Sequence, residues 1–244
     1  TINGNLLFHG CIPLDENGQL QSVNIAGTDY SGKALLDKLD EIANKAYFMQ
    51  PGAEKDYAAD YMWYLWSGAR SPLYGKDKMA FFERYFLDDK KLHKENYNAY
   101  YHFSEQAEVC GRILEMFGLD PERGHIINGH VPVKIKNGEK PVKAGGKLFV
   151  IDGGISKAYQ KATGIAGYTL IYDSHSLNLA EHKPFVAGES EHTPEIHLVE
   201  RLERRANISD TDKGAELLEQ INDLRELLRA YRSGEIKESG RRVN

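Results

Sequence analysis

Short apolar runs that end at glycine-containing segments predict buried strands at three places in the chain. Residues 6–8 form the first run and lead into His9. Residues 126–127 form the second, and residues 147–151 form the third. Runs of this length are typical of strands rather than helices. Two further apolar segments predict a hairpin or meander, at residues 168–172 and 177–179.

Helical periodicity characterises the segments between and after these strands. Ser31 is a candidate N-cap, and Leu35, Leu39 and Ile42 recur behind it at spacings of three and four. Further helices are predicted at residues 53–66, 77–86, 104–117 and 212–231. The many aromatic residues between positions 57 and 86 are interpreted as core residues.

The order of these elements predicts an α/β (α+β) fold, in which helices cover a sheet. We divide the chain into a sheet entry with a candidate metal-ligand loop (1–30), a mainly helical insertion (31–122), a β-rich core (123–190) and a helical C-terminal tail (191–244). The tail carries an amphipathic helix with leucines between 217 and 228. We interpret these as packing against the rest of the chain, with the interface of a homo-oligomer as the alternative.

Composition narrows the class of protein. The 244 residues include 31 Lys+Arg and 36 Asp+Glu, which give a net charge of −5 and no bulk attraction to nucleic acid. No apolar run approaches the ~20 residues of a membrane helix, so we expect no membrane span. Two cysteines are too few for a disulfide framework and favour a cytoplasmic protein. Because the chain begins close to a predicted strand and without Met, we expect it to be the C-terminal portion of a longer protein.

His9 and His130 occur in matched contexts, since each follows an apolar run and lies at the transition from a predicted strand to a loop. Loops at strand ends commonly carry ligand-binding side chains, since the strand fixes the backbone. A neutral imidazole is a good ligand for manganese, iron or zinc. The alternative is that each histidine forms a hydrogen bond with a neighbour and has no ligand.

The Gly/Pro-containing loop at residues 67–76 carries candidate contacts for an anion. Arg70 and Lys76 lie in or next to it, and Lys78 follows. Arginine binds phosphate through two parallel hydrogen bonds. Arg70 and Lys76 are therefore candidate substrate-phosphate contacts, with solvated surface cations as the alternative.

Several segments taken together resemble the class III fructose-1,6-bisphosphatases of bacteria. They are residues 7–13, 63–68, 71–80, 128–134, 146–154, 156–160 and 163–172, and the similarity continues through 223–236. The resemblance covers essentially the whole chain. It implies a metallophosphatase of the calcineurin type, whose core is a β-sandwich of two sheets flanked by helices.

The resemblance also implies an activity and a set of ligands. The activity is manganese-dependent hydrolysis of fructose 1,6-bisphosphate to fructose 6-phosphate and phosphate, a step of gluconeogenesis. His9 and His130 match the two later histidine ligands of such enzymes and would bind the same metal. The three earlier motifs, Asp-x-His, Gly-Asp-x-x-Asp and Gly-Asn-His-Asp/Glu, do not precede His9.

Half of a two-metal site is therefore expected in this chain. Its own N-terminal portion is the expected partner, and the fragment alone should be inactive and expose a sheet edge. Two other functions remain open. One is a metallophosphatase of the same fold acting on another phosphoester, and the other is a non-catalytic regulatory or assembly module.

Overall fold

The computed structural model describes residues 1–156, 159–164, 167–183 and 193–237. The strands are β1 (Leu6–Leu7), β2 (Val23–Ile25), β3 (Thr28–Tyr30), β4 (Ile126–Asn128), β5 (Val142–Lys143), β6 (Leu148–Val150), β7 (Gly167–Tyr172), β8 (Ser176–His182) and β9 (Glu195–Arg201). The helices are α1 (Gly32–Phe48), α2 (Ala53–Ser67), α3 (Phe81–Phe86), α4 (Tyr100–Phe103), α5 (Ala107–Met116), α6 (Gln160–Thr163) and α7 (Asp212–Ser233).

A four-stranded sheet in the order β1-β4-β6-β5 positions the candidate site. β1, β4 and β6 run parallel, with Leu6 opposite Ile126 and Ile126 opposite Leu148, whereas β5 is antiparallel to β6. The carboxyl ends of the three parallel strands therefore lie at one edge of the sheet. The segments that follow them, which begin near His9, Gly129 and Ile151, meet at that edge.

The two faces of this sheet pack against different layers. Ile126 and Leu148 belong to a core cluster that includes Ile113 of α5. On the opposite face, Ile127 and Phe149 form a cluster with Leu177 of β8, in the antiparallel sheet β7-β8-β9. Alternate residues of buried strands thus contact a helix on one side and a second sheet on the other. The mixed α/β class predicted from the sequence is confirmed.

The helical insertion has a small core of its own. Leu35, Leu39 and Ile42 on α1 pack with Leu65 of α2 and with the β2-β3 hairpin, as the periodicity predicts. Tyr61 and Tyr64 on α2 pack against this core, as predicted. Most of the other aromatic residues between positions 57 and 86 are largely exposed, which corrects the rest of that interpretation: Trp63, Trp66, Phe81, Phe82, Tyr85 and Phe86.

The helix predicted at 77–86 begins only at Phe81. The segment before it is not helical, and the Asp77 carboxylate ties it to another loop by accepting hydrogen bonds from the backbone and side-chain amides of Asn96 (2.8 and 2.7 Å). Lys76 also forms an isolated bridge with Tyr97. The helix predicted at 104–117 is likewise shorter, since α5 begins at Ala107.

The tail differs from the helical structure expected for residues 191–244. β9 pairs with β8 and completes the second sheet. The expected boundary at residue 190 lies outside the described residues. α7 is present as predicted, and the Thr211 hydroxyl caps it by accepting from Gly214 N (3.0 Å).

The large apolar residues of α7 are not buried against the described part of the chain, although Ala230 is, so the interpretation of them as packing residues is wrong. All of the large ones remain 40% or more exposed: Leu217, Leu218, Ile221, Leu224, Leu227, Leu228 and Tyr231.

Both cysteines, Cys11 and Cys110, are buried free thiols. Within the described ranges, no helix has the length and apolar character that crossing a membrane requires.

Candidate metal centre

Backbone hydrogen bonds continue past the ends of the parallel strands and fix the loops that follow. Phe8 N donates to Ile127 O (3.2 Å), Gly129 N donates to His9 O (3.1 Å), and Ile151 N donates to Asn128 O (2.9 Å). The loop after β1 is thereby held directly beside the loop after β4. The two histidines predicted as metal ligands come together, although they are 121 positions apart in the sequence.

One nitrogen of each imidazole ring lies within hydrogen-bond distance of the other ring. His9 Nε2 lies 3.3 Å from His130 Nδ1, and the ring planes are inclined at 80°. On its other side, His130 Nε2 lies 2.8 Å from the Tyr74 carbonyl oxygen. Because a carbonyl only accepts, Nε2 carries the proton, and a neutral His130 has its lone pair on Nδ1.

The surroundings of His130 favour that neutral form. Burial lowers the pKa of His130, and the neighbouring charges of His9 and Lys76 act in the same direction, although the hydrogen bond to Tyr74 O and the charge of Asp152 oppose them. Metal binding requires the neutral imidazole. A ligand histidine that donates its second N–H to a backbone carbonyl is a common arrangement in metal sites.

A turn at residues 71–75 presents the Tyr74 carbonyl. The buried Ser71 hydroxyl donates to Leu65 O (2.6 Å) and accepts from the backbone N–H groups of Leu73 and Tyr74 (3.2 Å each). The turn therefore contacts the end of α2. Cys11 N donates to Pro72 O (2.7 Å), which joins the turn to the loop that carries His9.

Gly10 makes this close approach sterically allowed. A Cβ at Gly10 would lie 2.0 Å from the Pro72 carbonyl oxygen. His130 itself adopts a left-handed backbone conformation with φ +69°. For a non-glycine residue this conformation carries strain, and such strain is often found at functional sites.

Asn128 links the two loops from inside the core. Its buried side-chain amide donates to Gly10 O (3.4 Å) and to the Tyr100 hydroxyl (3.1 Å). Asn128 is the last residue of β4, two positions before His130, so its contacts hold both histidine loops. Its only signal in the sequence is its position at a strand end, and it is not among the predicted site residues.

His9 and His130 offer two ring nitrogens as candidate metal ligands, and their donor type fits one part of a metal site. In the portion of the chain that the structure describes, no group of three His, Cys, Asp or Glu side chains is arranged to hold a metal. An Asp-x-His sequence does occur at 173–175, but it lies in the exposed turn between β7 and β8. There the Asp173 carboxylate accepts from His175 N (2.7 Å).

Arg70 and Lys76 line one pocket of about 480 Å³, whose described lining does not include His9 or His130. Arg70 is exposed, and one of its guanidinium nitrogens lies 3.4 Å from Ser22 O. The Lys76 ammonium lies 2.7 Å from the Glu95 carboxylate. Burial alone would lower the pKa of Lys76, but the hydrogen bond and charge of Glu95 raise it above its usual value. Lys76 is therefore cationic, and the contact of Arg70 and Lys76 with substrate phosphate stays a prediction.

The chain matches the family described as Firmicute fructose-1,6-bisphosphatase over residues 1–233. It is 54% identical to the fructose-1,6-bisphosphatase class 3 of Clostridium botulinum, 51% identical to that of Clostridioides difficile and 53% identical to one from Clostridium beijerinckii. These alignments cover 97%, 97% and 98% of this chain but 37% of each relative. The chain thus spans a little over a third of the length of these relatives. No solved structure matches it. The chain belongs to the Firmicute fructose-1,6-bisphosphatase family.

Proposed function

We propose that the complete protein hydrolyses fructose 1,6-bisphosphate to fructose 6-phosphate and phosphate, and that this chain supplies part of its metal centre. The observation that carries the proposal is the convergence of His9 Nε2 and His130 Nδ1 at 3.3 Å in a member of this family. Manganese is the proposed metal, and gluconeogenesis in the cytoplasm is the proposed setting.

The proposed roles follow from the contacts of each residue. His9 and His130 bind the metal, and the Tyr74 carbonyl keeps His130 in the tautomer that leaves Nδ1 free to do so. A two-metal phosphatase centre supplies a nucleophile at neutral pH and neutralises charge on the phosphate oxygens. The chain's own residues hold and orient that centre.

Arg70 is the proposed contact for a substrate phosphate. Its guanidinium is exposed at the pocket, and it offers two parallel donors to phosphate oxygens. Lys76 contributes positive charge at the same pocket, where Glu95 and the rings of Tyr74 and Tyr97 hold it, with ring centroids at 5.6 and 5.4 Å. Lys76 thus supports binding through its charge more than through a direct contact.

The remaining ligands are proposed to come from the rest of the protein. β1 is an edge strand of its sheet, and Leu7 on that strand is 45% exposed. A largely apolar groove of about 360 Å³ lies beside it, lined in part by Ile127 and Leu177. A strand edge that leaves backbone N–H and C=O groups exposed next to an apolar surface is a typical site for pairing with another segment. We therefore propose that the chain pairs with its own N-terminal portion and is inactive without it.

The test uses the full-length enzyme. His130→Ala should lower manganese-dependent turnover of fructose 1,6-bisphosphate by at least ~100-fold, since it removes a metal ligand. The matched control is His102→Ala, which removes an exposed histidine at the end of α4 and should leave turnover unchanged. Near-normal turnover of the His130 variant would refute the metal role. If the unaltered enzyme prefers another phosphoester, that compound replaces fructose 1,6-bisphosphate as the proposed substrate. If it turns over no phosphoester, the result favours a non-catalytic module.

A further inference from the structure

The second ring nitrogen of His9 points to a further residue of the site. His9 Nε2 faces His130, so Nδ1 is the nitrogen on the other side of the ring. A histidine that binds metal through Nε2 carries its proton on Nδ1 and in most sites donates it to a carboxylate, a carbonyl or water. For His130 the Tyr74 carbonyl fills the corresponding role.

Gly129 leaves a space between His9 and the third strand-end loop. A Cβ at Gly129 would lie 3.5 Å from His9 Nδ1 and 3.6 Å from the Cβ of Asp152. The backbone of Gly129 does not adopt a positive φ, so conformational freedom does not explain the glycine. Its consequence is that the His9 ring and the Asp152 side chain face one small gap.

One carboxylate oxygen of Asp152 is available to accept a hydrogen bond across this gap. Gly154 N donates to its Oδ1 (2.9 Å), which leaves Oδ2 outside that bond. The residue is half-buried, directly after β6 at the edge of the sheet where the histidines lie. A partly buried carboxylate at this position acts more strongly on its neighbours than an exposed one.

We propose that Asp152 accepts the Nδ1–H of metal-bound His9 and holds the ring with the Nε2 lone pair toward the metal. Asp152 is then a positioning residue, because it acts on the metal through His9. This inference rests on the metal role proposed above for the two histidines. The sequence signal that could have indicated it is an acidic residue shortly after the third apolar run, as His9 and His130 follow the first two.

Two substitutions of Asp152 separate this role from a purely structural one. Asp152→Asn has a single acceptor oxygen, so it either loses the bond from Gly154 N or presents an NH₂ group to His9. In the second arrangement the NH₂ group donates to Nδ1, which places the proton of His9 on Nε2, the nitrogen that should bind the metal. Asp152→Ala loses the bond from Gly154 N but leaves space in which water can accept the Nδ1–H. We expect the Asn variant to be the more harmful to metal binding.

The measurement is manganese affinity of the metal-stripped full-length enzyme, by calorimetric titration. We expect Asp152→Asn to weaken binding ~10–100-fold, and Asp152→Ala to weaken it less. The melting temperatures of the two metal-free Asp152 variants show how much stability each substitution removes. If the aspartate only stabilises its turn, the Ala variant should have the lower melting temperature and the Asn variant should bind manganese normally. That result would overturn the inference.

A second pair of variants tests the space itself. Gly129→Ala places a methyl group between His9 and Asp152 without removing either side chain, and it should weaken manganese binding. Gly111→Ala is the matched control, because its Cβ would meet only Pro121, also at 3.5 Å. It should bind manganese like the unaltered enzyme. Normal binding by Gly129→Ala would count against the proposed contact.

Failure of this inference is distinguishable from failure of the proposed function. If His9→Ala and His130→Ala abolish a manganese site and Asp152→Asn leaves it intact, the histidines are ligands and only the role of Asp152 is refuted. If the two histidine variants bind manganese normally, the metal centre itself is refuted. The proposed role of Asp152 is then refuted as well, because it depends on metal binding by His9.

Discussion

Ser71→Ala tests how the Tyr74 carbonyl is held against His130. Ser71 is fully buried, and its hydroxyl makes three hydrogen bonds, one donated to Leu65 O and two accepted from backbone N–H groups. Alanine fits the same space, so the change removes hydrogen bonds without adding bulk.

The expected cost follows from the burial of the groups left behind. The Leu65 carbonyl belongs to a buried residue, and leaving it unsatisfied costs about 1–3 kcal/mol. The N–H groups of Leu73 and Tyr74 belong to exposed and half-buried residues, where water replaces the lost acceptor at little cost. Ser71→Ala should therefore lower the free energy of unfolding by about 2 kcal/mol.

The assay is urea unfolding of the metal-free full-length enzyme, together with manganese titration. Ser67→Ala is the control, because its hydroxyl makes one bond to Trp63 O, in the preceding helical turn (3.1 Å). It should change stability by less than about 0.5 kcal/mol. We also expect Ser71→Ala to weaken manganese binding, since the turn no longer fixes the Tyr74 carbonyl. Equal stability of the two variants would refute the reasoning.

Two further predictions concern the pocket lined by Arg70 and Lys76 and the Glu95 carboxylate that Lys76 contacts. Arg70 has a left-handed backbone with φ +64°, so Arg70→Gly should raise stability by about 1 kcal/mol while the KM for fructose 1,6-bisphosphate rises. Steady-state kinetics and urea unfolding check this, and an unchanged KM would exclude a phosphate contact. Burial would raise the pKa of Glu95, but its bonds from Lys76 and Ala80 N hold it below the usual 4.5. Its stabilising contribution is therefore complete above pH 4.5 and lost as the pH falls through the lower folded-state pKa, so Glu95→Gln should flatten the acid end of the stability profile.

Local patterns in the sequence were sufficient for the elements that are buried and regular. The apolar runs gave β1, β4 and β6, and spacings of three and four gave α1 with its buried leucines. His9 and His130 could be paired because each follows a strand. Parallel strands then bring equivalent loop positions together.

The parts that the sequence did not predict depend on long-range contacts. β9 is a charged, mostly exposed edge strand, so it has no alternation of buried and exposed residues to indicate it. The Tyr74 carbonyl reaches His130 across 56 positions, and no side-chain motif encodes a backbone acceptor. Asp152 was missed because its proposed partner, His9, lies in a different loop.

The parallel pairing of β1 with β4 has a consequence for how the protein folds. It joins segments about 120 residues apart, as in Leu6 opposite Ile126, and the distance between the two histidines depends on it. Contacts of such long sequence separation form slowly, because the loop between them must close first. The metal centre should therefore appear late in refolding. Manganese, by binding only the paired form, should raise the unfolding temperature in proportion to the logarithm of its concentration, and chelators should reverse this.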